Sequence, residues 1–340
     1  MREFKSFTRR RFDGALVSLF AAAATCVKAQ TLGSKRRIGV LIQFARPESG
    51  TNARWDGLVQ GLRDLGYVEG QSISFAYAYT EGDSDRRQRE ATRLVATMPD
   101  VIVAGSGSDA LALQAATSTI PIVVIAGGDL VRAGVVASLA RPGGNVTGVQ
   151  IFQPDLAGKR LELLKAVAPR ATRVGVLHER LSTEALRTYY ASLVADLEVA
   201  ARGLGIQVKA IAVGGEDWSD RASERIREDN LNALLFAASP FLYQHRKRLA
   251  ELAARHRLPA IYETADYVHT GGLMSYGPNV TALYGRAASY VDRILRGAKP
   301  ADLPVEQPAT VELAISMKTA KQLGLTVPQS LLLRADHVLD

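Results

Sequence analysis

The chain has 340 residues, of which 47% are hydrophobic and 22% charged, a balance typical of a globular protein of one or two domains and not of a disordered chain. Part of the formal net charge of +8 lies at the amino terminus, where the first 29 residues hold six Lys or Arg and two acidic residues. The other basic residues are scattered and form no stripe interleaved with aromatic residues, which argues against nucleic-acid binding.

The amino terminus has the pattern of an export signal. Three arginines at positions 9–11 precede an uncharged apolar run over residues 14–27, which is too short to span a bilayer comfortably. A small-residue cleavage site follows, directly before Gln30. We therefore predict that residues 1–29 are a signal peptide that directs the chain to the periplasm. Both the general secretory route and the twin-arginine route remain open.

The single cysteine, Cys26, falls within this segment. The residues before it, Ala23-Ala24-Thr25, are a poor lipobox, so we expect Cys26 to be lost with the signal peptide. The mature chain would then contain no disulfide, no thiol chemistry and no cysteine metal site.

The apolar periodicity of the first half predicts strands alternating with helices. Strands are expected at residues 36–42, 73–79, 101–104, 120–126 and 146–152, and helices at 55–65, 85–98, 110–116 and 131–139. The short apolar strands lack alternation, which is typical of parallel strands buried on both faces.

The pattern then starts again about 136 to 139 positions later, since Gly39, Gly66 and Pro121 have counterparts at Gly175, Gly205 and Pro259. The second half has predicted strands at 173–177, 207–213, 233–237 and 311–317, and helices at 189–204, 220–229, 283–295 and 318–323. We therefore predict an α/β protein of two Rossmann-like lobes with parallel sheets. We expect a hinge where the chain crosses at residues 148–152, 271–277 and 311–317.

Ligands of open parallel sheets bind beyond the carboxyl ends of the strands. In the first half these ends are the loops at residues 105–109 and 127–129. Ser106, Ser108 and Asp109 are predicted ligand contacts, together with free N–H groups at residues 108–110 where a helix begins. In a duplicated fold, Ser239 ends the equivalent strand of the second lobe and should face them.

Five further residues are candidate ligand contacts, and four of them have a structural alternative. Asp129 could bind an amine or cap a turn, and His178 could bind the ligand or be a solvated loop histidine. Tyr262, beside the candidate Glu263, could stack on a flat ligand or pack in the core. Tyr276 could bind the ligand or pack at the hinge.

Residues 105–110 fit the pattern G-x-G-x-x-A, which leaves open an exported enzyme that uses a nucleotide. That fingerprint belongs after the first strand of its fold, whereas two predicted strands precede this one. The sequence contains no P-loop, no G-x-S-x-G and no H-E-x-x-H, and His245, His256 and His269 lack metal-ligand spacing. We expect no enzyme activity, no cofactor and no metal.

Several runs resemble the periplasmic substrate-binding proteins of ABC transporters, of the tryptophan/tyrosine type. These runs are GYVEGQ at 66–71, ATSTIPIV at 116–123, ASLARPGGNVTG at 137–148, KRLELL at 159–164, GGLMSYG at 271–277 and KTAKQLGLTVP at 318–328. The resemblance implies a type I periplasmic-binding fold. Lobe 1 would comprise residues 36–150 with 283–297, and lobe 2 residues 151–272 with 311–340.

The resemblance further implies a monomer that captures a small amino-acid-like or aromatic ligand and delivers it to an ABC permease in the membrane. A ligand-sensing subunit for a membrane receptor is an alternative. Two loops depart from the family pattern. Ser108-Asp109 replaces a Thr or Pro that often opens the loop helix, and His178-Glu179-Arg180 replaces an Asn-Pro turn.

Overall fold

Two sheets, of five and seven strands, organise the chain from Arg36 to Asp340. The computed structural model describes residues 35–43, 53–81, 83–127, 129–151, 155–180, 184–308 and 310–340. The predicted signal peptide and the residues that follow the first strand, 44–52, lie outside these ranges. Within them, no helix is both long and apolar enough to cross a membrane.

The first lobe is built on a parallel sheet with the strand order β2-β1-β3-β4-β5. Its strands are β1 (Arg36–Ile42), β2 (Ile73–Tyr79), β3 (Val101–Ala104), β4 (Ile122–Gly127) and β5 (Val146–Gln150). Its helices are α1 (Ala53–Asp64), α2 (Ser84–Ala96) and α3 (Gly107–Ala116).

The second lobe repeats this order as β7-β6-β8-β9-β10 and adds β11 and β12. Its strands are β6 (Arg173–Glu179), β7 (Gln207–Val213), β8 (Ala233–Phe236), β9 (Ala260–Tyr262), β10 (Met274–Gly277), β11 (Glu312–Ser316) and β12 (His337–Leu339). The predicted duplication and its parallel sheets are confirmed. The exception is β11, which runs antiparallel to β10.

Most remaining helices accompany the second sheet. They are α4 (Asp155–Val167), α5 (Glu184–Leu204), α6 (Trp218–Glu228), α7 (Pro240–Gln244), α8 (Arg246–Arg255), α9 (Ala265–His269), α11 (Met317–Gln322) and α12 (Gln329–Leu332). Helix α10 (Val280–Leu295) and a short 3-10 turn (Pro300–Asp302) lie between β10 and β11 in the chain.

The central strands of the first sheet are covered on both faces, and β1 shows how. In β1, Val40 packs in the cluster that contains α1 and α10 side chains, whereas Leu41 packs with Leu94 of α2 and Leu113 of α3. Alternate residues of a strand point to opposite faces, so one strand supports both layers. All four side chains are completely buried.

Helix α10 returns the chain to the first lobe and packs on α1. Tyr284 of α10 meets Trp55 of α1 edge to face, with ring centroids 4.9 Å apart. A β-carbon at Gly61 of α1 would lie 2.7 Å from the carbonyl oxygen of Gly285, so the two helices can approach this closely only with glycine there.

One prediction about local structure was wrong. Residues 131–139 form turns and bends instead of a helix, because Gly134 takes a positive φ of 73° and the N–H of Val135 bonds back to the carbonyl of Leu130.

Two of the hinge crossings were expected near residues 271–277 and 311–317. These residues contain β10 and β11, which are hydrogen-bonded neighbours in the second sheet. Because α10 lies between them in the chain and packs on α1, the chain crosses to the first lobe after Gly277 and returns before Glu312.

Candidate functional site

In the loop after β3, a serine of the loop itself accepts a backbone N–H at the start of α3. Ser106 is the N-cap of α3, and its side-chain oxygen accepts the N–H of Asp109 at 3.1 Å. The N–H of Ala110 donates to the Ser106 carbonyl at 3.0 Å. The prediction of free N–H groups across residues 108–110 was therefore wrong for two of the three. Ser108, in the first turn of α3, is half-buried.

Asp109 is completely buried and paired with a residue of the neighbouring helix. The Nε of Arg87, on α2, donates to Asp109 Oδ1 at 3.0 Å. The other carboxylate oxygen, Oδ2, has no hydrogen-bond partner among the described residues. Burial raises the pKa of Asp109 to about 6, although the Arg87 charge and the Ser106 hydrogen bond lower it.

The equivalent strand end in the second lobe carries Ser239 and an acid that was not among the predicted contacts. Ser239 caps α7 by accepting the N–H of Leu242 at 3.2 Å, and its hydroxyl donates to Glu179 Oε2 at 2.6 Å. Burial raises the pKa of Glu179, while hydrogen bonds from Ser239 and from the backbone of Phe241, together with the charge of Arg87, lower it.

Arg54 joins the two lobes directly. It lies on α1 of the first lobe and is 6% exposed. Its guanidinium carbon lies 3.3 Å from the centroid of the Tyr243 ring on α7, and its Nη2 lies 3.3 Å from Asp266 Oδ2 on α9. A buried guanidinium is tolerated when an aromatic face and a carboxylate replace its water. We call this contact of Arg54, Tyr243 and Asp266 the interlobe clasp.

Two other predicted contacts have local partners in the structure. Asp129 accepts the N–H of Arg132 at 3.0 Å, as in the capping alternative. His178 stacks on Tyr190 with centroids 5.1 Å apart, and its Nδ1 lies 3.0 Å from the Glu179 carbonyl oxygen. Burial lowers the pKa of His178, although this contact with the Glu179 carbonyl raises it.

Tyr262 lies in the core of the second lobe, as in the packing alternative. It is completely buried and stacks on Phe236 and Tyr267 with centroid distances of 4.5 and 4.7 Å. Tyr276 is half-buried, and its carbonyl accepts the Nε of Arg160 at 2.7 Å.

Glu263 follows Tyr262 at the carboxyl end of β9 and is half-buried. Burial raises the pKa of Glu263 to about 7, against the positive charges of Arg160 and Arg54.

The structure places Ser106, Ser108 and Asp109 at the end of β3 in the first lobe and Ser239 at the end of the equivalent strand, β8, in the second. Sequence reasoning missed Arg54, Arg87, Glu179 and Tyr243. The sequence indicates these residues only weakly. Arg87 is one of several arginines in a charged helix, and Glu179 stands out only because His178-Glu179-Arg180 replaces the Asn-Pro turn of the family.

The G-x-G-x-x-A loop, which left open a nucleotide-using enzyme, follows β3, which is not the first strand of its sheet. No group of three or more metal-ligating side chains occurs among the described residues.

Asp109 should make stability depend on pH. Its pKa rises from 3.8 to about 6 on folding, so the folded state binds more protons between these values. The stabilisation from protonated Asp109 is complete below about pH 4 and is lost as the pH rises through about 6. We expect the unfolding free energy of Asp109→Asn, measured by urea denaturation from pH 4 to 7, to fall less with pH than that of the wild type. Parallel curves would contradict the assignment.

The interlobe clasp should hold the lobes together without ligand. Arg54→Ala removes the first-lobe half of the contact, whereas Arg246→Ala removes a guanidinium that lies 4.7 Å from the same ring but belongs to the same lobe as Tyr243. We expect Arg54→Ala to lengthen the interlobe distance and Arg246→Ala to leave it unchanged. Spin labels at Gln88→Cys and Arg202→Cys, both exposed sites, measure this distance in the mature chain. Equal distances in both variants would refute the clasp.

Comparison with known proteins identifies the family. The model of the ABC transporter substrate binding protein family matches residues 38–339. A tyrosine-binding protein of Clostridioides difficile (strain R20291) is 26% identical over 277 residues, covering 79% of this chain and 76% of the relative.

Two solved structures differ in how closely they superpose. An ABC domain in complex with L-Trp, from Streptococcus pneumonia, is 27% identical with a TM-score of 0.79, over 90% of this chain and 100% of that one. The ligand-free, open structure of a substrate binding protein with adhesive properties from Clostridium difficile is 25% identical with a TM-score of 0.65, over 89% and 99%. At similar identity and coverage, this chain superposes more closely on the complex than on the open structure.

These findings agree with the geometry of two lobes clasped over facing strand ends. The lobes have the type I periplasmic-binding fold. Members of the family are binding proteins that act outside the cytoplasm and are not enzymes. The chain belongs to the family of ABC transporter substrate-binding proteins.

Proposed function

We propose that this protein captures a small amino acid with an aromatic side chain between its lobes and delivers it to the permease of an ABC importer. The observation that carries the proposal is the closed arrangement, in which Arg54 of the first lobe is buried against Tyr243 and Asp266 of the second. A two-lobed protein with a hinge captures its ligand because a ligand that contacts both lobes stabilises the closed form.

The chemistry of the facing strand ends supports an amino acid as ligand. Arg87 supplies a guanidinium suited to a carboxylate, and Glu179 and Ser239 supply acceptors suited to an amine. Tyr243 supplies an aromatic surface at the same junction. The names of the relatives, one binding tyrosine and one holding L-Trp, point to the same ligand class.

We also propose where the protein acts and with which partners. Residues 1–29 would direct export, so the mature chain beginning at Gln30 acts in the periplasm as a monomer, with the permease subunits as its protein partners. The domain boundaries are proposed as for the sequence, with residues 36–150 and 283–297 in lobe 1 and residues 151–272 and 311–340 in lobe 2. Nucleic acid plays no part.

Binding is tested by calorimetry of the mature chain with L-tryptophan and L-tyrosine, and with D-glucose as an unrelated solute. We expect saturable one-to-one binding of at least one amino acid and none of glucose. Ser239→Ala should weaken that binding about two- to tenfold, since it removes a net hydrogen bond at Glu179.

Ser316→Ala is the matched control for Ser239→Ala. Ser316 caps α11 with the same geometry, accepting the N–H of Thr319 at 3.1 Å, and is equally buried. It ends β11, whose antiparallel direction places it at the edge of the sheet opposite Ser239. Both variants should lose about 1 kcal/mol of stability from the cap, but only Ser239→Ala should lose affinity. Equal affinity in both would remove Ser239 from the binding site.

A further inference from the structure

A second cavity lies within the second lobe and opens at the edge of its sheet opposite the cleft. It has a volume of about 190 Å³ and is enclosed by α8, α11 and the residues around the amino ends of β9 and β10. Its buried walls are mostly apolar and include Ala250, Ala253, Leu258, Ala260 and Leu273. An apolar cavity of about 150 Å³ is enough to bind benzene, so this one has room for a single substituted ring.

The hydroxyl of Tyr262 is an unsatisfied polar group in the wall of this cavity. Tyr262 is completely buried, and its hydroxyl has no hydrogen-bond partner among the described residues. Every element that encloses the cavity lies within the described ranges 184–308 and 310–340. The hydroxyl of Thr319, also in the wall, already donates to the Gly271 carbonyl at 3.1 Å.

A bound compound suits this wall better than water does. A water molecule needs about two to four polar partners, and a mostly apolar wall with one unpartnered hydroxyl does not supply them. Buried hydroxyls are ordinarily hydrogen-bonded. The hydroxyl of Tyr262, which can both donate and accept, is therefore suited to a polar substituent on an otherwise apolar compound.

The mouth of the cavity is positively charged. The exposed lining residues are Ala254, Arg257, Gly271 and Gln322. Among the described residues that line the cavity, Arg257 is the only charged one. A guanidinium binds a carboxylate through two parallel N–H donors, so the mouth favours a compound whose outer end is a carboxylate.

We propose that this cavity binds a small aromatic carboxylate, with its ring between the apolar walls, a polar substituent at Tyr262 and the carboxylate at Arg257. The site is separate from the cleft between the lobes, because its exposed residues Arg257 and Gly271 precede β9 and β10 in the chain. The inference does not depend on the proposed function. 4-Hydroxybenzoate has the required arrangement of groups and serves as the probe.

The first test is calorimetry of the mature chain with 4-hydroxybenzoate, in the presence of excess L-tryptophan and L-tyrosine. We expect saturable one-to-one binding. Benzoate, which lacks the hydroxyl, should bind about two- to tenfold more weakly, the effect of one hydrogen bond. No binding of 4-hydroxybenzoate, or its displacement by either amino acid, would overturn the inference and leave the proposed function untouched.

Tyr262→Phe then tests the hydroxyl, with Tyr267→Phe as its matched control. Tyr267 is completely buried, stacks on Tyr262 with centroids 4.7 Å apart and also has a hydroxyl without a described partner, but it does not line the cavity. Each variant removes an unpartnered hydroxyl from the same stack and should melt at or above the wild-type temperature. Only Tyr262→Phe should bind 4-hydroxybenzoate more weakly, about two- to tenfold. Equal affinity in the two variants would overturn the role of Tyr262.

Arg257→Gly tests the carboxylate, with Met98→Gly as its matched control. Arg257 and Met98 have positive φ angles of 52° and 48° at the same position after α8 and α2, where glycine is favoured. Both variants should therefore be at least as stable as the wild type. Only Arg257→Gly should weaken the binding of 4-hydroxybenzoate, about two- to fivefold at low salt. Wild-type affinity in Arg257→Gly would overturn the placement of the carboxylate.

Ala253→Leu tests the cavity itself. Ala253 is a buried wall residue of α8, so a leucine there fills the space that the ring would occupy. We expect this variant to lose 4-hydroxybenzoate binding without a lower melting temperature, because the added side chain enters an existing void. Binding that survives in Ala253→Leu would overturn the site.

Discussion

A charged side chain from one lobe, buried against the other, is the interaction on which the closed form depends. Arg54 can lose its water because the ring of Tyr243 covers one face of the guanidinium and Asp266 lies 3.3 Å from it. The ring and the carboxylate more than offset the cost of removing Arg54 from water, but only by a small margin, so the contact favours the closed form modestly. The equilibrium between the open and closed forms is therefore open to control by a ligand.

The duplicated sheet explains why the polar groups meet at all. In each sheet the first strand of the lobe lies between the second and the third. The carboxyl ends of equivalent strands therefore carry equivalent loops in the two lobes. Ser106 and Ser239 follow equivalent strands, and each caps the helix that comes next. The serines thus fix loop geometry, and the charged residues Arg87, Asp109 and Glu179 determine what the cleft can hold.

Periodicity predicted the strands well because each is a short apolar run bounded by turns, and β2, β3 and β7 begin and end where expected. The helix expected at 131–139 failed because a single glycine with positive φ ends the turn early. Side-chain roles were harder to predict. Tyr262 lies at the end of a strand, where a binding residue is also expected. Its ring lies in the core because it stacks on Phe236 of β8 and Tyr267 of α9, and the residues next to Tyr262 in the sequence do not reveal these contacts.

Arg87 and Glu179 could not be found from local pattern, because they lie 92 positions apart in the sequence and on different lobes. The most direct test of capture between these lobes is small-angle X-ray scattering of the mature chain, alone and saturated with the amino acid that calorimetry identifies. The account predicts a smaller radius of gyration in the saturated sample, as the open fraction of the free protein closes. An unchanged scattering profile at saturation, together with an interlobe distance that ligand does not alter, would contradict it.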